Sequence, residues 1–319
     1  MPQSVWPKPV RFTVEFGANY LWHLLAVARV GYVSPYASKC PNTVAPADVE
    51  LIAACKDDLA WVEDSGGNLS GFFVNLPAWL KLESHGDFEV YFETMETALH
   101  EGSLQPFVNR FPGSRWKDPH YKHYLQQANF ASELATHRAM ARRLAGAYMR
   151  NLEAYRRLVW PRAAQNLKPR ELALAAEFAE VDFIARWESL LDIRFAMPCY
   201  EFLLCYASQG GPDFNSVGYG RTVMYYDKPF KRTCQFASHE IGTHLLFEVY
   251  SELLKDSGCD KRKAYCALEI LAQYCNRRVL EVETLEYHLP GMDENFFLER
   301  FEAGFRAGKH PRDLLRSVL

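Results

Sequence analysis

The sequence predicts an α+β fold, predominantly helical, with a small antiparallel or mixed sheet. Three observations lead there. Helical patterns with few breakers fill about 121–160 and 169–192 and return from Thr233 onward. Two aromatic, apolar runs, 198–206 and 222–227, read as strands on either side of a stretch rich in Gly, Pro, Asp and Asn. The composition is that of an ordinary globular chain: 319 residues, 49% hydrophobic, 24% charged and a formal charge of -3.

Taken in order, the first 120 residues read as a mixed α/β region. A helix is expected at about 46–62, because Pro46 and the acids Asp48 and Glu50 suit a helix start. Asp64-Ser65-Gly66-Gly67-Asn68 would break it. Pro112, Gly113 and Pro119 make 109–120 a loop or boundary. The expected division is therefore 1–120 and 121–319, or one two-lobed domain. The second part would hold the strand pair at about 197–228 and helices at about 233–255, 261–287, 294–307 and 311–318. The helix at 121–160 carries Arg138, Arg142, Arg143, Arg150, Arg156 and Arg157, a solvated face or a docking face for an acidic partner.

The bulk numbers exclude several classes. A disordered, collagen-like or supercharged chain is ruled out. The small net charge argues against nucleic acid as a partner. A chain this long buries a sizeable core without metal or disulfide staples, so a metal site here reads as chemical rather than structural. Eight cysteines form no C-x-x-C pair, and the N-terminus shows no secretory pattern, so a reduced, cytoplasmic protein is expected. No run approaches 18 apolar residues, so no membrane span is expected.

The chemistry-bearing segment is Ser238-His239-Glu240-Ile241-Gly242-Thr243-His244-Leu245-Leu246. The familiar zinc signature, H-E-x-x-H, puts two histidines on one helix face. Here the spacing is one residue longer. Five steps of an α-helix turn roughly 500°, about 140° out of alignment. A π-bulge would realign the two imidazoles, and Gly242 between them would ease it. Ser238 could cap or orient the helix start.

HEIGTHLL resembles the core motif of the tyrosine carboxypeptidase family of H-E-x-x-x-H zinc metallopeptidases, which includes enzymes that trim the C-terminal tyrosine of α-tubulin. The close match covers about eight residues. In that family a downstream helix supplies a glutamate ligand, often within Q-E-G-L-A. Here Leu268-Glu269-Ile270-Leu271-Ala272 is similar in part, keeping E-x-L-A, with Leu268 and Ile270 replacing the glutamine and glycine. The resemblance implies a zincin-like, carboxypeptidase-like enzyme with His239, His244 and Glu269 on one Zn2+ ion, and a peptide or protein C-terminus as substrate.

The residues support that set on their own terms. Two histidines and a carboxylate leave a catalytic zinc one open position. A carboxylate in the apolar run around Glu269 needs a partner. Glu281, Glu283, Glu286 and the softer Cys266 are alternative ligands. Glu240 would be the general base, taking a proton from a zinc-activated water and returning it to the leaving amine. An oxyanion donor would come from Tyr219, Tyr225 or Tyr226, and a clamp for a terminal carboxylate from Arg221, Lys228, Lys231, Arg232, Arg277 or Arg278. The strand at 222–227 would be a sheet edge that pairs with an extended peptide. Two other readings remain open at this point. One is a non-peptidase metalloenzyme, an Fe(II) oxygenase or another hydrolase. The other is a binding module for an acidic partner. His120 and His123 read as a surface pair.

Overall fold

The computed structural model describes residues 8–59, 69–126, 137–211, 214–255, 259–285 and 294–318. Its main elements, in chain order, are β1 (Val10–Thr13), α1 (Phe16–Ala28), α2 (Pro46–Ala54), α3 (His85–Glu101), α4 (Arg138–Leu158), α5 (Trp160–Glu177), α6 (Phe183–Leu191), β2 (Tyr200–Cys205), β3 (Phe214–Gly218), β4 (Arg221–Tyr225), α7 (Phe230–Leu253), α8 (Lys261–Leu280), α9 (Glu294–Arg306) and α10 (Pro311–Ser317). The fold is mostly helical with one small sheet, an α+β arrangement. No helix among the described residues is long and apolar enough to cross a membrane.

The chain folds into two compact units, and the division does not fall at residue 120. One unit is Phe12–Ala176 with Glu201–Asp227. Its centre is α1, FGANYLWHLLAVA, in which every residue but Val27 is buried. A helix apolar all round belongs inside a core. Around it gather Phe72, Phe73, Phe88, Tyr91, Tyr148 and Tyr155, an aromatic core of tilted and edge-to-face pairs. The first 120 residues are thus mainly helical, with β1 their one strand among the described residues.

The sheet runs β1-β2-β4-β3. β2 and β4 pair in parallel, Glu201 opposite Arg221 and Cys205 opposite Tyr225. β3 and β4 form the antiparallel hairpin. β4 is therefore an interior strand with both edges taken, which overturns its expected role as a peptide-pairing edge. The Gly- and Asn-rich stretch expected as a loop supplies β3.

Two helix expectations change as well. The helix from Pro46 stops at Ala54 and a short turn follows at Lys56–Leu59, while the expected breaker at 64–68 lies outside the described residues. α5 runs straight through Pro169 instead of beginning there. Proline costs that helix one hydrogen bond, but Ala163, Leu167 and Leu174 on one buried face hold it.

Several arginines of α4 have partners within their unit while their side chains stay 37–68% exposed. Arg138 and Arg142 meet Glu96 on α3 at 2.7 and 2.5 Å. Arg150 meets the buried Asp48 on α2 at 2.5 Å. The Arg156 guanidinium lies 4.1 Å from the Phe16 ring centre. Four of the six arginines thus tie α4 to its own unit while remaining partly or largely exposed.

The other unit is Met1–Arg11, Glu177–Tyr200 and Lys228–Leu319. Here α7 packs on α8 and α6, α8 packs on α9, and α10 touches α7 and α8. α8 starts at Asp260, whose carboxylate accepts from the Lys263 amide at 3.0 Å. Asn276 donates to the Gln235 carbonyl at 2.8 Å and ties α8 to α7 inside the core. None of the eight cysteines is in a disulfide.

Candidate metal centre

α7 begins at Phe230, so Ser238 lies well inside the helix rather than at its start. The helix continues as regular α through 239–244, and the π-bulge expected there is not formed. On such a helix residues five apart project about 140° from one another. The two histidines accordingly find different partners. His239 Nε2 lies 2.8 Å from Glu269 Oε2 on α8. His244 Nδ1 lies 2.8 Å from the Tyr200 hydroxyl, with the two rings stacked at 5.3 Å. Both imidazoles are buried.

Gly242 has a packing reason rather than a bulge reason. A Cβ at this position would sit 2.4 Å from the Trp187 ring carbons. Trp187, on α6, is fully buried and lies against α7 between the two histidine positions. Its indole N–H donates to Ser238 Oγ at 2.9 Å. The next residue, Glu188, accepts from Lys8 at 2.6 Å, from the Phe195 amide at 2.8 Å and from Arg194 at 3.0 Å. That fixes Phe195, which stacks on Tyr200 at 5.8 Å. Tyr200, the partner of His244, is a residue that the sequence reading did not single out. It stands 44 residues from His244, and a tyrosine opening a strand carries no spacing signal.

The electrostatics centre on His239. Burial disfavours its charged form, but the hydrogen bond and charge of Glu269, with the charge of Glu240, outweigh burial and raise its pKa above the ordinary value. Glu240, half-buried, follows His239 on the helix, and its carbonyl accepts from Thr243 Oγ1 at 2.9 Å.

The donor set fits a catalytic zinc in type: two imidazoles and one carboxylate. It fits in one pairing too. Bonds of about 2.0–2.1 Å at tetrahedral angles put two ligand atoms roughly 3.3 Å apart, and His239 Nε2 and Glu269 Oε2 need open by only about half an ångström from 2.8 Å. His244 is not gathered with them. Among the described residues no three His, Cys, Asp or Glu side chains form a ready metal group. Cys266 lies one turn before Glu269 on α8, Glu281 and Glu283 follow the end of α8, and Glu286 lies outside the described residues.

No protein-family model, curated protein or solved structure matches the chain.

The remaining expected residues scatter. Lys231 is exposed in the first turn of α7, and Arg232 covers the Phe236 ring. Arg278 is exposed on the last turn of α8, stacked on Phe305 and Tyr274, and lines an open cavity of about 740 Å³ with Arg186 and Ser189. Tyr219, Arg221, Tyr225 and Tyr226 belong to the other unit. There Tyr219 is buried, its amide on Asp118. Tyr225 and Tyr226 pair edge to face at 5.2 Å. Burial first, then the neighbouring Tyr226, pushes the Tyr225 phenol up to about 12. Arg221 is buried against Glu15, Glu201 at 3.0 Å and the Ala78 carbonyl. Those partners commit its guanidinium to the core of that unit. His120 meets the edge of the Tyr219 ring, and the side chain of His123 lies outside the described residues.

Proposed function

We propose that this protein is a zinc-dependent metallopeptidase of carboxypeptidase-like action, with a peptide or protein C-terminus as substrate. The observation that supports it is the buried His239–Glu269 contact. Two residues picked as ligands 30 positions apart meet across two packed helices at 2.8 Å. The resemblance of HEIGTHLL to H-E-x-x-x-H metallopeptidases gives the pairing its chemical reading.

His239 and Glu269 would hold the ion, and His244, turned away on a regular α7, would join them only through a local rearrangement of that helix. When bound, zinc supplies Lewis-acid polarisation of the scissile carbonyl and a nucleophile from water near neutral pH. Glu240, one residue from a ligand and half-buried, would accept the water proton and return it to the leaving amine. Trp187 excludes water from one side of α7 and braces the helix between the ligands. Tyr200 holds the His244 ring at Nδ1 and so directs metal chemistry to Nε2.

The test uses the purified full chain. Metal content is measured by mass spectrometry, and release of C-terminal residues from peptides of acidic and neutral sequence is followed in parallel. About one zinc per chain is expected. Glu240→Gln should lower turnover by roughly 10²–10⁴-fold while leaving zinc in place. Substoichiometric zinc after zinc supplementation, or undiminished turnover by Glu240→Gln, refutes the proposal.

A further inference from the structure

The unit built from Phe12–Ala176 and Glu201–Asp227 has a cavity of its own, of about 270 Å³, lined by Lys39, Cys40, Thr43, Leu158, Arg162 and Tyr206 among others. The cavity sits where α4 passes into α5, facing the turn Ala37–Lys39 and the residue that follows β2. Three features mark it out.

Its cations meet no carboxylate among the described residues. Arg162 makes no ion pair among the described residues. Among the described residues Lys39 reaches the neutral side-chain amide of Gln209, at 3.4 Å. Their charges are felt inside: burial raises the Cys40 pKa most, while the Tyr36 hydroxyl, Arg162 and Lys39 work against that rise.

Its wall is apolar and open. Leu158 is 55% exposed, one of few large apolar side chains left to solvent. Val159, Pro41 and the Tyr206 ring complete that wall.

One lining residue, Thr43, is held by a buried polar chain. Thr43 Oγ1 donates to the Cys40 carbonyl at 2.8 Å, so it accepts from His23 Nε2 at 3.2 Å. His23 Nδ1 then accepts from the Tyr36 hydroxyl at 2.7 Å. The chain fixes the histidine as its neutral Nε2–H tautomer and holds Thr43 in place beneath the cavity. Desolvation lowers the His23 pKa to about 3, in keeping with that tautomer.

Two cations with no carboxylate partner among the described residues, set beside apolar side chains and a fixed threonine hydroxyl, suit a ligand with one charged end and one greasy end. We propose that this cavity binds a small monoanionic carboxylate with an aromatic or branched apolar body. The carboxylate meets Arg162 and Lys39, with Arg162 offering the bidentate fork. The body lies on Leu158, Val159 and the Tyr206 ring. A volume of about 270 Å³ admits a ligand the size of phenylacetate rather than a peptide, at the small end of ordinary ligand sites. The site is independent of the metal reading.

Isothermal titration calorimetry of the full chain with phenylacetate tests it, with phenylacetamide and inorganic phosphate as comparisons. Saturable one-to-one binding of phenylacetate is expected. Phenylacetamide, which lacks the charge, should bind about tenfold or more weakly, and so should phenylacetate on Arg162→Gln. Leu158→Ser should weaken phenylacetate severalfold and leave phosphate unchanged. Three outcomes overturn the proposal: no saturation by phenylacetate, equal affinity for phosphate, or equal affinity in Arg162→Gln. A protein that binds phenylacetate but holds no zinc would refute the metallopeptidase reading alone.

Discussion

Replacing Gly242 by alanine separates two accounts of that glycine. Were helix propensity the whole story, the change would stabilise α7 by about 1 kcal/mol. The structure places the Trp187 ring carbons 2.4 Å from the new methyl carbon, more than 1 Å inside ordinary contact. Trp187 is fully buried and cannot swing into solvent. Overpacking of a closed core costs about 1–3 kcal/mol. Moving the indole also strains its 2.9 Å bond to Ser238 Oγ, a further loss of about 1 kcal/mol. Against the gain in propensity, the net is a destabilisation of roughly 2 kcal/mol. Urea unfolding followed by tryptophan fluorescence measures it. A double-mutant cycle with Trp187→Leu isolates the clash, because the smaller side chain leaves room for the methyl. Gly242→Ala should then be neutral or slightly stabilising in the Trp187→Leu background. A neutral or stabilising effect in the wild-type background would refute the wedge and return Gly242 to a purely conformational role.

Other consequences can be checked the same way. Arg221→Met leaves Glu15 and Glu201 in the core with Lys81, 3.0 Å from Glu201, as their one paired cation among the described residues, and should cost about 3–5 kcal/mol in urea unfolding. His23 stays neutral in the fold down to about pH 3, whereas in the unfolded chain it protonates near its ordinary value of about 6.5. Its contribution is therefore present above that value and lost as the pH falls. Between pH 6.5 and 4.5 the loss should reach roughly 2 kcal/mol, and His23→Asn should flatten the slope. His239 does not disturb that window, because a raised pKa contributes fully below the unfolded value and fades only at higher pH. Tyr200→Phe keeps the ring and removes the hydroxyl on His244 Nδ1, so zinc affinity by competition with a chromophoric chelator should fall about 10–100-fold with far-UV circular dichroism unchanged.

What could be read from the residues follows their physics. The strands at 200–205 and 221–225 and the helices from Phe230 onward stood out because alternation, aromatic content and the 3.6-residue period are local signals. The parallel pairing of β2 with β4 was illegible. Two runs close in sequence suggest a hairpin, and only the intervening β3 makes β4 interior. β3 itself hid behind Gly, Asn and Pro. α1 carries no amphipathic period because the core surrounds it, so its pattern is a plain apolar run. At the site, His239 and Glu269 could be paired from motif and chemistry. The divergence of His244 could not, because it depends on whether α7 bulges, and the Trp187 ring seated over Gly242 accompanies a regular helix.

That wedge changes how the eight-residue motif is understood. α6 bears no recognisable signature, yet two adjacent residues on it reach both histidines. Trp187 bonds Ser238, the neighbour of His239, and occupies the space above Gly242. Glu188 gathers Lys8, Arg194 and the Phe195 amide, and Phe195 stacks on the tyrosine that holds His244. Burial alone would raise the pKa of Glu188, but Lys8, the Phe195 amide and Arg194 together draw it below the ordinary carboxylate value. It therefore stays charged and anchored through the neutral range. The separation of the two imidazoles follows from the five-residue spacing on a regular α7, and a side-chain wedge and an ionic clamp on one short helix pack against that arrangement. Any rearrangement that brings His244 toward His239 and Glu269 must displace side chains that α6 holds in place, residues that the motif does not contain.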